Sequence, residues 1–79
     1  MDKKYYIKLF ESFPDVVDLK QFREMLGGIA DSTARKLILE NRVKHYNIRN
    51  TFLIPKDWVI EYVLSKHYAK YKLKLKARI

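Results

Sequence analysis

Between residues 18 and 41 the apolar side chains fall at intervals of three and four, the spacing of one face of a helix. Leu19, Phe22, Met25 and Leu26 form a first stripe, and Ala34, Leu37 and Ile38 form a second. Gly27-Gly28 separates them, because glycine enters the left-handed conformation that ends a helix without a Cβ penalty. Asp18 suits the start of the first helix. Its carboxylate accepts from the free N–H groups of the first turn, and Gln21 reaches back as in a capping box. Val17 and Phe22 stand at staple positions. Asp31 is the expected cap of the second helix, and Asn41 is a suitable left-handed terminator. Ser32, Arg35, Lys36 and Leu39 point away from the second stripe.

Elsewhere the period changes. Tyr5, Ile7 and Leu9 alternate with Tyr6, Lys8 and Phe10, which permits a short strand, with a helical turn as the alternative. Pro14 disfavours helix at Phe13, and the β-branched pair Val16-Val17 is long enough only for a strand fragment. Residues 43–54 carry Val43, Tyr46, Ile48, Phe52 and Ile54 around a turn at Arg49-Asn50 or Asn50-Thr51, so they read as a hairpin. Pro55 is tolerated in a first helical turn and Asp57 suits its positive end, so a third helix starts there. Its stripe is Trp58, Val59, Tyr62 and Val63, extended by the stem of Lys66. From Tyr71 to Ile79 the alternation is strict, which reads as a strand or as a tail ordered on a partner. The division expected is an N-terminal extension over 1–12, a folded domain over 13–67 and a basic alternating tail over 68–79.

Composition narrows the function classes. The chain has 79 residues and a net charge of +8, but residues 66–79 hold six cations and no acid. The remainder carries 11 cations against 9 anions, so where the cations of the core sit matters more than the total. There is no cysteine, and His45 and His67 are 22 positions apart, so neither a disulfide nor a zinc site is expected. Each histidine reads as a packing or surface residue. No apolar run approaches the ~20 residues that span a bilayer, and the N-terminus is unlike a signal peptide, so a cytoplasmic location is expected. Ser12, Ser32 and Ser65 lie in no nucleophile motif, and Gly27-Gly28 lacks the Lys-Ser/Thr of a phosphate loop. No enzyme and no cofactor are read from these residues.

Helix, glycine turn and helix with cations on the outer face describe a helix-turn-helix, and the class expected is α+β. The order strand, helix, turn, helix, hairpin, Ile-Pro-Lys and helix resembles the excisionase-type winged helix-turn-helix, related to MerR-like DNA-binding domains. The residues carrying this likeness are Leu26-Gly27, Ser32-Thr33-Ala34, Leu37-Ile38, Glu40, Ile48 and Phe52-Leu53-Ile54-Pro55-Lys56, over about residues 13–66. Three positions depart from the pattern. Gly27-Gly28 lengthens the turn by one residue, and Asn41 and Arg49 stand where the family often has glycine.

The resemblance implies a recombination directionality factor: a protein that binds double-stranded DNA, self-associates cooperatively on it, bends it, and assists a tyrosine recombinase in excising a mobile element. By resemblance and by facing, Ser32, Thr33, Arg35 and Lys36 address the major groove, where an arginine pairs with guanine through two hydrogen bonds. Lys44, Arg49 and Asn50 belong to the wing, and Arg42 is placed for a phosphate. The bland alternative for each is a solvated surface. Two other functions compete: a small MerR-like transcriptional regulator of a phage or mobile element, and a protein-interaction adaptor whose tail adds a strand through Tyr71, Leu73 and Leu75. Lys20 and Arg23 are further backbone candidates.

Overall fold

The computed structural model describes residues 2–79. Five helices and a three-stranded antiparallel sheet form an α+β fold. In chain order these are α1 (Lys3–Leu9), β1 (Val16–Val17), α2 (Leu19–Met25), α3 (Asp31–Leu39), β2 (Tyr46–Ile48), β3 (Thr51–Pro55), α4 (Lys56–Val63) and α5 (Lys66–Leu75).

The sheet order is β1-β3-β2, so β3 is central. Val17 pairs with Ile54, and both are fully buried, which sets the register by burial rather than by hydrogen bonds alone. The Lys56 N–H donates to the Asp15 carbonyl at 2.7 Å, and the Lys56 ammonium donates to the Phe13 carbonyl at 2.9 Å. These bonds tie the start of α4 to the chain before β1. The hairpin turn falls on Arg49-Asn50, with φ of 51° and 65°. Two consecutive left-handed residues match the twist of a two-residue hairpin, the geometry that glycine usually supplies.

α2 is built as its residues dictate. Asp18 accepts from the Gln21 N–H at 2.8 Å, and Gln21 Oε1 accepts from the Asp18 N–H at 3.0 Å, completing the capping box. Phe22, Met25 and Leu26 are buried, and Gly27 and Gly28 follow at φ of 89° and 91°. Asn41 closes the following segment at φ of 57°.

Four expectations are corrected. Residues 3–9 take the helical alternative rather than the strand. What decides this is Tyr6 and Phe10, which stand four apart and both enter the core, while Tyr5, Ile7 and Leu9 stay exposed. Asp31 is the first residue of α3 and not its cap; Ala30, in extended conformation, takes that place and has no side-chain acceptor, while the Asp31 carboxylate accepts from Arg35. The helix begun at Lys56 stops at Leu64, so Lys66 does not extend its stripe. Ile60 is buried there, while Trp58 is only half-buried and packs its ring on Tyr46 at 5.1 Å.

The fourth correction concerns residues 68–79. As far as Leu75 the alternating segment folds as helix: Ser65 caps α5 by accepting from the Tyr68 N–H at 3.3 Å. Tyr68 enters the core, and Tyr71, Lys72 and Leu75, at helical spacing from it, are half-buried. Lys76 is left-handed and turns the chain back. Arg78 then donates its N–H to the Leu26 carbonyl at 3.0 Å, and the Tyr68 hydroxyl donates to the Ile79 carbonyl at 2.7 Å. The basic C-terminal segment is thus seated beside the turn between α2 and α3. The core draws on both ends of the chain, joining Tyr6, Phe10 and Tyr68 to residues of α2, α3, β3 and α4.

Candidate nucleic-acid interface

Burial of Ala34, Leu37 and Ile38 fixes how α3 is rotated. Ser32 and Leu39 therefore form its outer crest, and Leu39 is 72% exposed. At 3.6 residues per turn, positions 31 and 35 fall on one flank of that crest, and positions 33, 36 and 40 on the other. Each flank borders an open cleft.

The first cleft, of about 310 Å³, lies between α2, the start of α3 and the hairpin tip. Lys20, Arg23, Asp31, Arg35 and Asn50 line it, with Asp18 at its edge. Its two arginines are positioned by hydrogen bonds. Arg35 Nε donates to Asp31 Oδ2 at 2.7 Å, and Arg23 Nε donates to the Ile29 carbonyl at 2.9 Å. Arg23 Nη1 also stands 4.0 Å from Asp31 Oδ1. Because Arg35 is held through Nε, both of its terminal nitrogens keep their N–H donors for another acceptor.

The second cleft, of about 390 Å³, separates α3 from α5. Thr33, Lys36 and Glu40 line one wall, His67, Tyr71 and Lys74 the other, and Arg42 lies between them. Arg42 Nε stands 3.5 Å from Glu40 Oε1. Lys36 and Lys74 have no ion-pair partner among the described residues. His67 Nδ1 is 3.0 Å from the Tyr62 hydroxyl, and its ring lies 4.6 Å from that of Tyr71. Burial, and then the charge of Arg42, lower the His67 pKa, with Glu40 opposing and Lys70 adding to the decrease. Burial raises the Tyr62 hydroxyl to about 12.

The expected residues are therefore divided. Arg35 and Asn50 share the first cleft, and Thr33, Lys36 and Arg42 share the second. Ser32 stands on the crest, and Arg49 is exposed at the hairpin tip. Lys44 is set apart from both, paired with Glu61 of α4 at 3.0 Å in a hollow shared with His45 and Trp58. His45 donates its Nδ1–H to the Val43 carbonyl at 2.9 Å.

Two features escaped the sequence reading. The Asp31–Arg35 pair was signalled by its four-residue spacing, which places opposite charges side by side on a helix. The α5 wall was signalled by His67, Tyr71 and Lys74 at intervals of four and three behind a serine, a pattern masked by the stronger alternation.

Among the described residues no group of three or more His, Cys, Asp or Glu could hold a metal ion, and no helix is long and apolar enough to cross a membrane. No protein-family model, curated protein or solved structure matches the chain.

Proposed function

We propose that the chain is a sequence-specific, DNA-binding architectural protein on a winged helix-turn-helix, with α3 as the recognition helix and the β2–β3 hairpin as the wing. The observation that supports this reading is the crest of α3. It is exposed at Ser32 and Leu39, with Arg35 on one flank and Lys36 on the other, and has a cation-lined cleft on each side. A helix of this width fits the major groove of B-form DNA, which is about 12 Å wide. Arg35, steadied by Asp31, presents its terminal N–H groups as the pair that guanine accepts. Arg49 and Asn50 at the wing tip are placed for the neighbouring backbone or minor groove.

Within this reading the excisionase-type role follows from the resemblance over residues 13–66. No strand-cutting chemistry is assigned to the chain. Its contribution is to hold duplex DNA in a bent shape that a tyrosine recombinase uses, offsetting a deformation cost of order 1–6 kcal/mol with protein contacts and cooperative self-association.

The test is capture of sheared source-genome DNA by the purified protein at two salt concentrations, followed by sequencing. Enrichment at the ends of an integrated element, retained at the higher salt, is the expected result. Peaks at promoters would replace the directionality factor with a transcriptional regulator. Binding without sequence preference, lost at the higher salt, would remove the recognition-helix assignment altogether.

A further inference from the structure

Duplex DNA presents a helix in its major groove with two phosphate ridges, one on each side. If α3 occupies the groove, both of its flanks face backbone, and the hairpin cleft accounts for only one of them. We infer that the α3–α5 cleft is a second DNA-binding site, which seats the phosphodiester backbone of the opposite strand. This inference rests on the DNA-binding reading above and adds to it an element, α5, outside the winged helix-turn-helix segment.

Three observations carry the inference. The first is charge. Lys36, Arg42 and Lys74 converge on the cleft from α3, from the segment after it and from α5, and its one lining acid, Glu40, is already occupied by Arg42 at 3.5 Å. The hairpin cleft is less positive, since Asp18 and Asp31 answer Lys20, Arg23 and Arg35. The second is donor chemistry. Thr33 and Tyr71 add hydroxyl groups beside the cations, and hydroxyl donors with ammonium and guanidinium groups are the groups that bind phosphate oxygens. The third is placement. α5 is not a loose tail: the Arg78 N–H bonds the Leu26 carbonyl and the Tyr68 hydroxyl bonds the Ile79 carbonyl, so Lys74 is carried on a helix fastened at both ends.

The cleft reads no bases, so it adds affinity equally for every sequence. Each phosphate neutralised contributes about 0.9 to the slope of log affinity against log salt. The experiment compares Arg42→Gln with Lys74→Gln, combined in one chain, against a charge-matched control, Lys3→Gln with Lys4→Gln on α1. Each is titrated on a duplex selected by the wild-type protein and on a scrambled duplex. Phosphate-ethylation interference is then mapped on both strands.

The expected result is a slope shallower by about 1.8 on both duplexes for the cleft variant, from about 0.9 per phosphate. The ratio of the two affinities stays unchanged, and interference disappears from one strand only. The control keeps both strands. Should the cleft variant melt below the wild type, Lys74→Gln alone serves, with a shift of about 0.9. An unmoved slope with interference intact on both strands overturns the inference, as does an equal slope change in the control without strand-selective loss. Wild-type protein that binds no duplex removes the proposed function as well. Sequence-specific wild-type binding with an unmoved cleft variant removes only the second site.

Discussion

On the hairpin flank of α3, Arg35 is held by Asp31 at 2.7 Å and Arg23 is anchored on the Ile29 carbonyl at 2.9 Å. On the α5 flank, Lys36 and Lys74 have no ion-pair partner among the described residues. For these four residues the difference is one of side-chain type as well as surroundings, although Arg42 also lines the α5 flank and Lys20 the hairpin flank. A guanidinium is a rigid fork whose remaining donors point in fixed directions once one nitrogen is bound, so little freedom is lost when it meets a second acceptor. An ammonium on a flexible stem is a mobile point charge that follows a phosphate wherever it lies. On the DNA-binding reading proposed above, one flank would supply discrimination and the other affinity. Neither property is visible in a count of cations.

The strongest challenge to that division removes what the two flanks share. Ile38 is fully buried beneath α3, and Ile38→Ala is expected to destabilise the fold by ~2–5 kcal/mol. A urea titration would show it as a lower midpoint, with both clefts lost together. A fall confined to one flank would show that they are stabilised separately.

A more selective probe is Arg35→Ala, which is expected to remove roughly 1–3 kcal/mol of discrimination between a selected duplex and a scrambled one. Affinities measured on both duplexes check this. A uniform loss on both would place Arg35 among the phosphate contacts instead.

Smaller effects are expected at the turn, where two adjacent glycines provide an internal comparison. Both are left-handed, so alanine at either is strained by about 1 kcal/mol. At Gly28 the added Cβ would meet open space, whereas at Gly27 it would lie 2.6 Å from Arg78 Cβ and 2.9 Å from the Arg78 nitrogen. Gly27→Ala should therefore lower the melting temperature more than Gly28→Ala. Equal shifts would mean that the end of the chain does not pack on the turn in solution.

The smallest expected effect belongs to His67, on the α5 flank alone. Its pKa is lowered in the folded chain from the ordinary 6.5, chiefly by burial. Below 6.5 the unfolded chain binds the proton more readily than the folded one, so stability is present above that pH and is lost as pH falls. Urea titrations from pH about 8 to about 5 should show the decline, and His67→Gln should flatten it. An unchanged slope in that variant would assign the decline to other groups.

The parts legible in the sequence are those decided locally. Asp18 and Gln21 complete each other within one turn, Gly27-Gly28 ends a helix by its own conformational freedom, and Asn41 takes a left-handed position that its short polar side chain tolerates. These need no knowledge of distant residues. The two ends of the chain were misread because their periods are short and their partners are remote. Tyr5, Ile7 and Leu9 alternate, yet Tyr6 and Phe10 find the core. Residues 71–79 alternate too, yet Leu73 is 91% exposed, while Tyr68 and Leu75 pack inward. A run of alternating lysine and leucine is compatible with either period, and what selects the helix is the serine cap and a core that has room for Tyr68. Of the expected site, the facing of α3 was legible from its buried stripe. The restraint of Arg35, the isolation of Lys44 and the α5 wall depend on tertiary neighbours, and those the pattern could not supply.

The bond from the Arg78 N–H to the Leu26 carbonyl has a consequence in time as well as in space. The two residues are separated by more than half the chain, so closing the loop between them costs more chain entropy than closing a contact within α2 or α3. α2 and α3 are both translated long before residue 78, but until then the turn joining them lacks its outer support, and α5 has no anchored far end. A growing polypeptide thus exposes its most cationic helix only after the elements it flanks have been made. Until residue 78 has been made, the wall that α5 forms beside α3 lacks its tie to the Leu26 carbonyl.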